Sequence, residues 1–447
     1  MDIEQLYHNL PIFMQNIICS IEGYRLKRRR YNQKYYQIYR QLKKNPFISR
    51  EKLRELRKKR LVNFLLSARS SSFWLNQLPA EKSLLEDPFA ALSKLPILTK
   101  LEVKKNIKAI INDTSKNIIT SHTSGTTGSG LVFPILKTSE IEQFAVWRRY
   151  WESHNILSHF WCGYFGGRSV VSIHQTTPPY WRVNYPGKQL LFSGYHLSEA
   201  TAKNYIDALN EFQPIWLHGY PSILSLLSKH ILEQGLLLKY KPKVITIGAE
   251  SLHAHQKQII KKAFSCPVRQ HYGLAEGVAN ISECENGNLH VDEDFSFVEF
   301  EPTGIDKFTY KIIGTNWSNP AFPLLRYDTG DTVVVNNGKC NCGRNGRIVE
   351  LIYGRMEDYI TLPNGFKIGR LDHIFKDITD VIESQIYQPD KNKIIFKIVK
   401  GANYDSNTEK TILEQARKRI GKEIKIDFAY QEKIMRTSRG KLKFVVS

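Results

Sequence analysis

Between residues 115 and 275 the chain alternates short apolar runs of β-type composition with segments of helical period, and this alternation narrows the fold more than any other feature. Runs at 117–121, 244–248 and 268–272 read as strands. Stretches at 141–151, 201–212, 222–235 and 254–264 place apolar residues at three- and four-residue spacing and read as helices. Alternation of this kind predicts α/β layering around a largely parallel sheet. In such sheets ligands sit beyond the carboxyl ends of the strands. Chemistry is therefore expected in the segments just after the predicted strands.

After the first of those strands comes Ser121-His-Thr-Ser-Gly-Thr-Thr-Gly-Ser-Gly130. Glycine permits tight turns and close backbone approach to a ligand, and hydroxyls donate to anionic oxygens. Together they describe a loop able to wrap a polyphosphate, although a flexible Ser/Gly linker has the same composition. No lysine follows the last glycine, so the loop is not a Walker A motif.

Five further segments follow in order: Gly248-Ala-Glu-Ser251, Tyr272-Gly-Leu-Ala-Glu276, Arg326-Tyr-Asp-Thr-Gly-Asp331, Gly354-Arg-Met-Glu-Asp358 and Arg436-Thr-Ser-Arg-Gly-Lys441. With the glycine loop they resemble the ordered signatures of the adenylate-forming superfamily, which activates carboxylates with ATP. Leu217-His-Gly-Tyr-Pro-Ser222 and Leu95-Pro-Ile-Leu-Thr-Lys100 resemble segments of its phenylacetate–CoA ligase branch, in particular the CapK-like members. The resemblance runs from roughly residue 50 to the end.

That resemblance implies an α/β fold of two parts, preceded by a segment it does not cover. Residues 1–50 are a basic helical segment. Residues 51–356 are a large adenylate-forming domain of parallel sheets sandwiched by helices, with a β subdomain. Residues 357–447 are a small α+β lid that rotates between half-reactions. It also implies roles. Ser124, Gly125, Thr126, Thr127 and Gly128 hold the phosphates, and Gly248, Ala249 and Glu250 lie against the adenine. Tyr272, with Gly273 beside it, stacks on the adenine face. Glu276 helps hold Mg²⁺, a hard cation suited to carboxylate oxygen. Asp331 accepts from the ribose hydroxyls, and Arg355 forks onto ribose or phosphate oxygens. Lys441 delivers positive charge to the α-phosphate, and Glu357 marks the hinge. The implied activity is activation of a carboxylic acid to an acyl-adenylate with pyrophosphate release. Transfer to CoA comes next, in the setting of surface or capsular polysaccharide assembly. An amine or hydroxyl acceptor in place of CoA, and a non-catalytic adenylate-binding scaffold, are the alternatives. The acid pocket is expected among the aromatics between Trp147 and Tyr220. Two departures from the family pattern stand out: Gly128-Ser-Gly130 lacks a Lys-Pro continuation, and Ala275 replaces the threonine of YGxTE.

A second constellation has metal-ligand chemistry. Cys284 and His290 are followed by Cys340 and Cys342, a Cys₃His set of the kind that binds structural zinc tetrahedrally. Free cysteines and a surface histidine would give the same letters, and the gap between the halves is too long for a zinc finger. Six cysteines in 447 residues do not describe a disulfide framework.

The net charge of +21 is concentrated at the start, where residues 1–60 hold 16 Lys/Arg against 5 Asp/Glu. Arg25-Leu-Lys-Arg-Arg-Arg30 is the core of this cluster, and Tyr24, Tyr31, Tyr35, Tyr36 and Tyr39 interleave it. Such a segment is either a solvated helical face or a peripheral contact with an anionic membrane. It carries no recognisable nucleic-acid-binding module. No apolar run reaches the ~18–20 residues of a membrane helix, and the flanks of a secretory signal are absent. The expected location is cytoplasmic.

Overall fold

The computed structural model describes residues 3–446 except 113–114, 124–129, 251, 253, 305–306, 337, 354–359, 364–366, 369–370, 376–377, 379, 402, 433 and 436–443. Its centre is one twelve-stranded sheet. The strands Cys162–Phe165, Trp216–Gly219, Val244–Ile247 and Val268–Gly273 run parallel, as the alternation predicts. The helices Ala202–Phe212, Pro221–Glu233 and Ala254–Phe264 lie between them in sequence. Phe165, Phe192, Tyr205, Leu217, Leu224, Ile245 and Phe264 close one core around these elements.

The short β segments after residue 280 extend this same sheet. Val268–Gly273 pairs in parallel with Val244–Ile247 through residues 268–270 and antiparallel with Asn280–Glu283 through residues 271–273. Leu289–Val291, Ile348–Tyr353, Tyr327–Asn336, Thr309–Thr315 and Phe297–Pro302 then continue it antiparallel to the far edge. Beyond Cys162–Phe165, the opposite end is Gln189–Phe192 and then Trp181–Asn184 as the edge strand. A hairpin of Ile118–His122 and Val132–Leu136 flanks the glycine loop and stands outside the large sheet. Toward the C-terminus, Lys425–Tyr430, Lys393–Lys400, Val381–Asp390 and Val445–Val446 form a separate four-stranded sheet. The helix Ser406–Ile420 contributes Ile412, Ala416 and Ile420 to that sheet's own core.

The N-terminal residues form three helices, Ile3–His8, Ile12–Arg30 and Gln33–Leu42. They pack on the body. Tyr35 and Leu42 enter a core with Ile141, Ala145, Val146 and Phe295. Arg29 and Arg30 both donate to Glu140 Oε1, at 2.6 and 2.8 Å. The Tyr39 hydroxyl donates to Glu152. Buried Arg149 donates to Asp292 Oδ1, Asp294 Oδ2 and the Leu42 carbonyl, each at 2.7 Å. Asn45 Nδ2 donates to Asp294 Oδ2 at 3.0 Å. Part of the basic, tyrosine-rich cluster is thus internal structure, not a solvated face.

Candidate functional site

The glycine motifs meet where the parallel strands end. Gly219 N–H is next to a tight junction: a Cβ on Gly219 would lie 2.5 Å from the Phe165 carbonyl oxygen, so this strand end can close only on glycine. Tyr220 N then donates to that same carbonyl at 2.9 Å, and Gly248 N donates to Gly219 O at 3.3 Å. Ala249 follows at φ +68°, a left-handed conformation that costs about 1–2 kcal/mol for a residue with a Cβ. That turn aims Glu250 back at the neighbouring motif. Its Oε2 accepts from Ser222 N at 3.1 Å, in the first turn of Pro221–Glu233, where backbone N–H groups lack helical partners. Gly219-Tyr-Pro-Ser222 and Gly248-Ala-Glu250 are therefore one tied unit.

A second tied unit lies across the seam of the sheet. Tyr272 Oη donates to Asp331 Oδ2 at 2.8 Å. Tyr327 Oη reaches Glu276 Oε1 at 3.5 Å, and Asn316 Nδ2 donates to the Glu276 carbonyl at 3.1 Å. Glu276 and Asp331 are both buried. The residues assigned to adenine, metal and ribose are thus joined twice, motif to motif. Arg326, at φ +48°, has a supporting part. It donates to Glu299 Oε1 at 3.1 Å and to the Leu95 carbonyl at 2.7 Å. Leu98 N donates to Arg326 O and Asp328 N to Leu98 O, both at 2.9 Å. The Leu95-Pro-Ile-Leu98 segment is in this way laid parallel along the start of the Asp331 strand.

Two histidines given no role in the motif assignments, His218 and His271, lie in the same region. His218 Nδ1 is 2.8 Å from Thr246 Oγ1, and His218 Cε1 would be 3.7 Å from a Cβ on Gly248. The His271 ring lies 5.8 Å from Trp147 and 5.1 Å from Tyr150, and Tyr164 is 5.7 Å from His218. Burial pushes both histidines down to about 4, so both are neutral at pH 7. The signal available in the sequence was position: each His comes one or two residues before a strand-ending glycine, His218-Gly219 and His271-Tyr-Gly273.

Of the other assigned residues, Ser124, Gly125, Thr126, Thr127, Gly128, Arg355, Glu357 and Lys441 lie outside the described residues. Gly273 is described. A Cβ there would approach Asn280 Oδ1 to 2.9 Å, which explains the small residue after Tyr272.

The four metal-type side chains converge. A turn from Cys284 to Asn288 reverses the chain, with Gly287 at φ +87°, and sets Leu289 opposite Glu283. His290 then pairs with Ile348, next to the connection that carries Cys340 and Cys342. All four ligand atoms lie within 4.8 Å of one another. Cys284 Sγ is 3.7 Å from Cys340 Sγ, and Cys342 Sγ is 3.4 Å from His290 Nε2. A tetrahedron with Zn–S near 2.3 Å and Zn–N near 2.05 Å has S···S edges of about 3.8 Å and S···N edges of about 3.6 Å. These two edges therefore have the lengths expected in a tetrahedral zinc site. His290 Nδ1 lies 3.2 Å from Gly346 O. A carbonyl only accepts, so Nδ1 carries a proton, and Nε2 is the nitrogen turned toward the Cys342 thiol. Despite burial, hydrogen bonds from the Cys342 backbone and from His290 bring the Cys340 thiol down to about 6.

Comparison with known proteins bears on the chain as a whole. A family model described as the CapK C-terminal domain matches residues 360–447. The chain is 29% identical to Protein CapK of Staphylococcus aureus over 452 residues, covering 100% of this chain and 99% of that one. It is 26% identical to phenylacetate-coenzyme A ligase of Thermus thermophilus over 34% of this chain and 37% of the relative. Among solved structures, 2-hydroxyisobutyryl-CoA ligase in its thioesterification state, in complex with 2-HIB-AMP and CoA, aligns with a TM-score of 0.54 at 15% identity. That alignment covers 90% of this chain and 91% of the other. The postadenylation state of the same ligase aligns with a TM-score of 0.53 at 15% identity, over the same shares of each chain. The chain is similar to CapK along the whole aligned length of both chains and shares the fold of 2-hydroxyisobutyryl-CoA ligase.

Proposed function

We propose that the chain is an AMP-forming acid ligase: it activates a carboxylic acid with ATP, releases pyrophosphate, and passes the acyl group to CoA. The observation that carries this reading is the double tie between Tyr272-Gly-Leu-Ala-Glu276 and Arg326-Tyr-Asp-Thr-Gly-Asp331 at the seam of the sheet. It holds a ring, a carboxylate for hydroxyl donors and a second carboxylate in fixed relation before any nucleotide arrives. Preorganised charge of this kind is what activation of a polyanion needs. In the proposal Tyr272 lies on the adenine face, Asp331 accepts from the ribose, and Gly248, Ala249 and Glu250 close the other side of the base. The hydroxyls of Ser124, Thr126 and Thr127 hold phosphate oxygens, and Arg355 reaches the ribose or a phosphate. Glu276 would hold Mg²⁺, which supplies charge neutralisation on the phosphates when bound. Residues 357–447 act as the lid, turning at Glu357 and carrying Lys441 to the α-phosphate for the first half-reaction. Neutral His218 and His271, with Trp147, Tyr150 and Tyr164, line the acid's side of the site.

Cys284, His290, Cys340 and Cys342 are proposed to hold one structural zinc. With four protein ligands no position is left for substrate. The two halves of the set come after Glu276 and Asp331 in sequence, so a metal there would brace the two motifs against each other. A cytoplasmic role in surface polysaccharide assembly, as implied by the likeness to CapK, belongs to the same proposal.

The test is acid-dependent exchange of pyrophosphate into ATP across aryl, hydroxy and amino acids, followed by product analysis with and without CoA. Exchange with a thioester product supports the proposal. Exchange with an amide or ester product moves the second step to another acceptor. No ATP–Mg²⁺ binding and no exchange across the panel would leave a non-catalytic scaffold.

A further inference from the structure

The helix Ile12–Arg30 is mounted with its faces reversed. A surface helix ordinarily buries its apolar stripe and shows its polar one. Here Gln15, Asn16, Ser20 and Gly23 face the body, while Phe13, Ile17, Ile21 and Tyr24 face out at helical spacing, flanked by Met14 and Ile18. Phe13, Ile17 and Ile21 are 64%, 53% and 63% exposed, and Leu6 on the preceding helix is exposed beside them in sequence.

The reversal has a cause in the sheet. Trp181–Asn184 is an edge strand, whose outer N–H and C=O groups would otherwise lie open to pairing with another chain. The helix covers them with polar side chains. Val183 N donates to Asn16 Oδ1 at 2.9 Å, Tyr185 N to Ser20 Oγ at 3.3 Å, and Ser20 Oγ to Val183 O at 3.4 Å. Arg182 Nε donates to Gln15 Oε1 at 2.7 Å. At Gly23 the helix comes so close that a Cβ would sit 1.9 Å from Asn184 Oδ1. These contacts fix the rotation of the helix, and an apolar stripe in water is the result.

That outward face also carries charge of one sign. Arg29 and Arg30 turn inward to Glu140, but Arg25, Lys27 and Arg28 are exposed. The one acid on the helix, Glu22, is engaged by Arg25 at 2.6 Å. Exposed apolar side chains next to cations suit an anionic bilayer surface, where the former enter the acyl boundary and the latter meet phosphates. A second copy of a chain with net charge +21 would set these cations against like charge. No helix among the described residues is long and apolar enough to cross a membrane. We propose that Leu6, Phe13, Ile17, Ile21 and Tyr24, with Lys27 and Arg28, form a lipid-docking face that seats the helix in the plane of an anionic membrane. This inference is independent of the ligase reading.

The test is flotation of the full chain with vesicles of phosphatidylglycerol and phosphatidylcholine, and with phosphatidylcholine alone, at low and high salt. Binding is expected to the anionic vesicles and to weaken with salt. Ile17→Glu/Ile21→Glu should lower it about tenfold or more. Lys27→Gln/Arg28→Gln, which keeps every apolar group, should lower it about fivefold per charge and flatten its salt dependence. Melting temperatures matching the wild type establish that each variant is folded. Wild-type protein that stays off anionic vesicles, or unchanged binding by either folded variant, would overturn the proposal. So would a wild-type dimer that Ile17→Glu/Ile21→Glu converts to monomer while neither binds vesicles, since a second copy would then occupy the face.

Discussion

Replacing Cys340 by serine should remove a metal and soften the middle of the large sheet. The exchange keeps size but trades a thiolate, already brought down to about 6 by its neighbours, for a hydroxyl that does not ionise near neutrality. The remaining Cys342–His290 edge is 3.4 Å, but three ligands no longer close a tetrahedron. A ligand present at a thousand times its Kd stabilises the folded state by about 4.1 kcal/mol. In a chain of 447 residues, at about 2.1 cal/mol/K of unfolding entropy per residue, each kcal/mol is worth about 1 °C in Tm. Loss of the metal should therefore lower Tm by about 4 °C. Elemental analysis of untagged protein should find one zinc per chain in the wild type and little in Cys340→Ser. A chelator should reproduce the loss of Tm in the wild type and leave the variant unmoved. Cys19→Ser, outside the cluster, serves as the control. Wild-type protein purified free of metal, or a variant that keeps both zinc and Tm, would refute the tetrahedral argument.

Other outcomes are expected at the site. Lys441→Ala should abolish pyrophosphate exchange yet leave thioester formation from preformed acyl-adenylate largely intact; equal loss in both half-reactions would rule out a lid that presents the lysine only once. Tyr272→Phe removes the donor to Asp331 Oδ2. Because hydrogen bonds to charged groups are worth about 1.5–3 kcal/mol, ATP affinity should fall roughly tenfold, and an unchanged Kd from calorimetry would count against Asp331 as a nucleotide ligand. His154, His218 and His271 are each held near 4 by burial. Their folded-state affinity for protons lies below the unfolded one, so their contribution is complete above about pH 6.5 and is lost as pH falls toward 4. Denaturant melts over that window should show stability falling by several kcal/mol, and a flat profile would mean the rings are not desolvated.

The glycine motifs were legible because tight turns at the ends of strands need particular residue types. Gly219 tolerates no side chain beside Phe165 O, and Glu250 reaches Ser222 because Ala249 turns the chain. The Cys₃His set was legible by ligand type, although only the Glu283–Leu289 register and the Ile348 pairing close its long gap. Less was visible where partners are distant. The run at 268–272 reads as one short strand, and nothing local says that its first half pairs in parallel and its second antiparallel. The N-terminal helix defeats a pattern argument altogether. Its polar residues answer an edge strand more than 150 positions away, as the Asn16–Val183 separation of 167 shows. His218 and His271 are single letters whose environment comes from three other segments.

The distant partners of the first helices also bear on how the chain is made. Asn45 and Asp294 are separated by 249 residues. At about 5–20 residues per second, the ribosome delivers that aspartate roughly 10–50 s after the asparagine. Throughout that interval Arg29, Arg30 and the edge-covering face of Ile12–Arg30 have emerged before Glu140, Trp181–Asn184 and Arg149's two aspartates. The helix Ile12–Arg30 thus waits for partners that emerge well after it. During synthesis both sides of that helix are open, and a surface that captures its apolar side early would hold the nascent chain by this helix until the edge strand arrives.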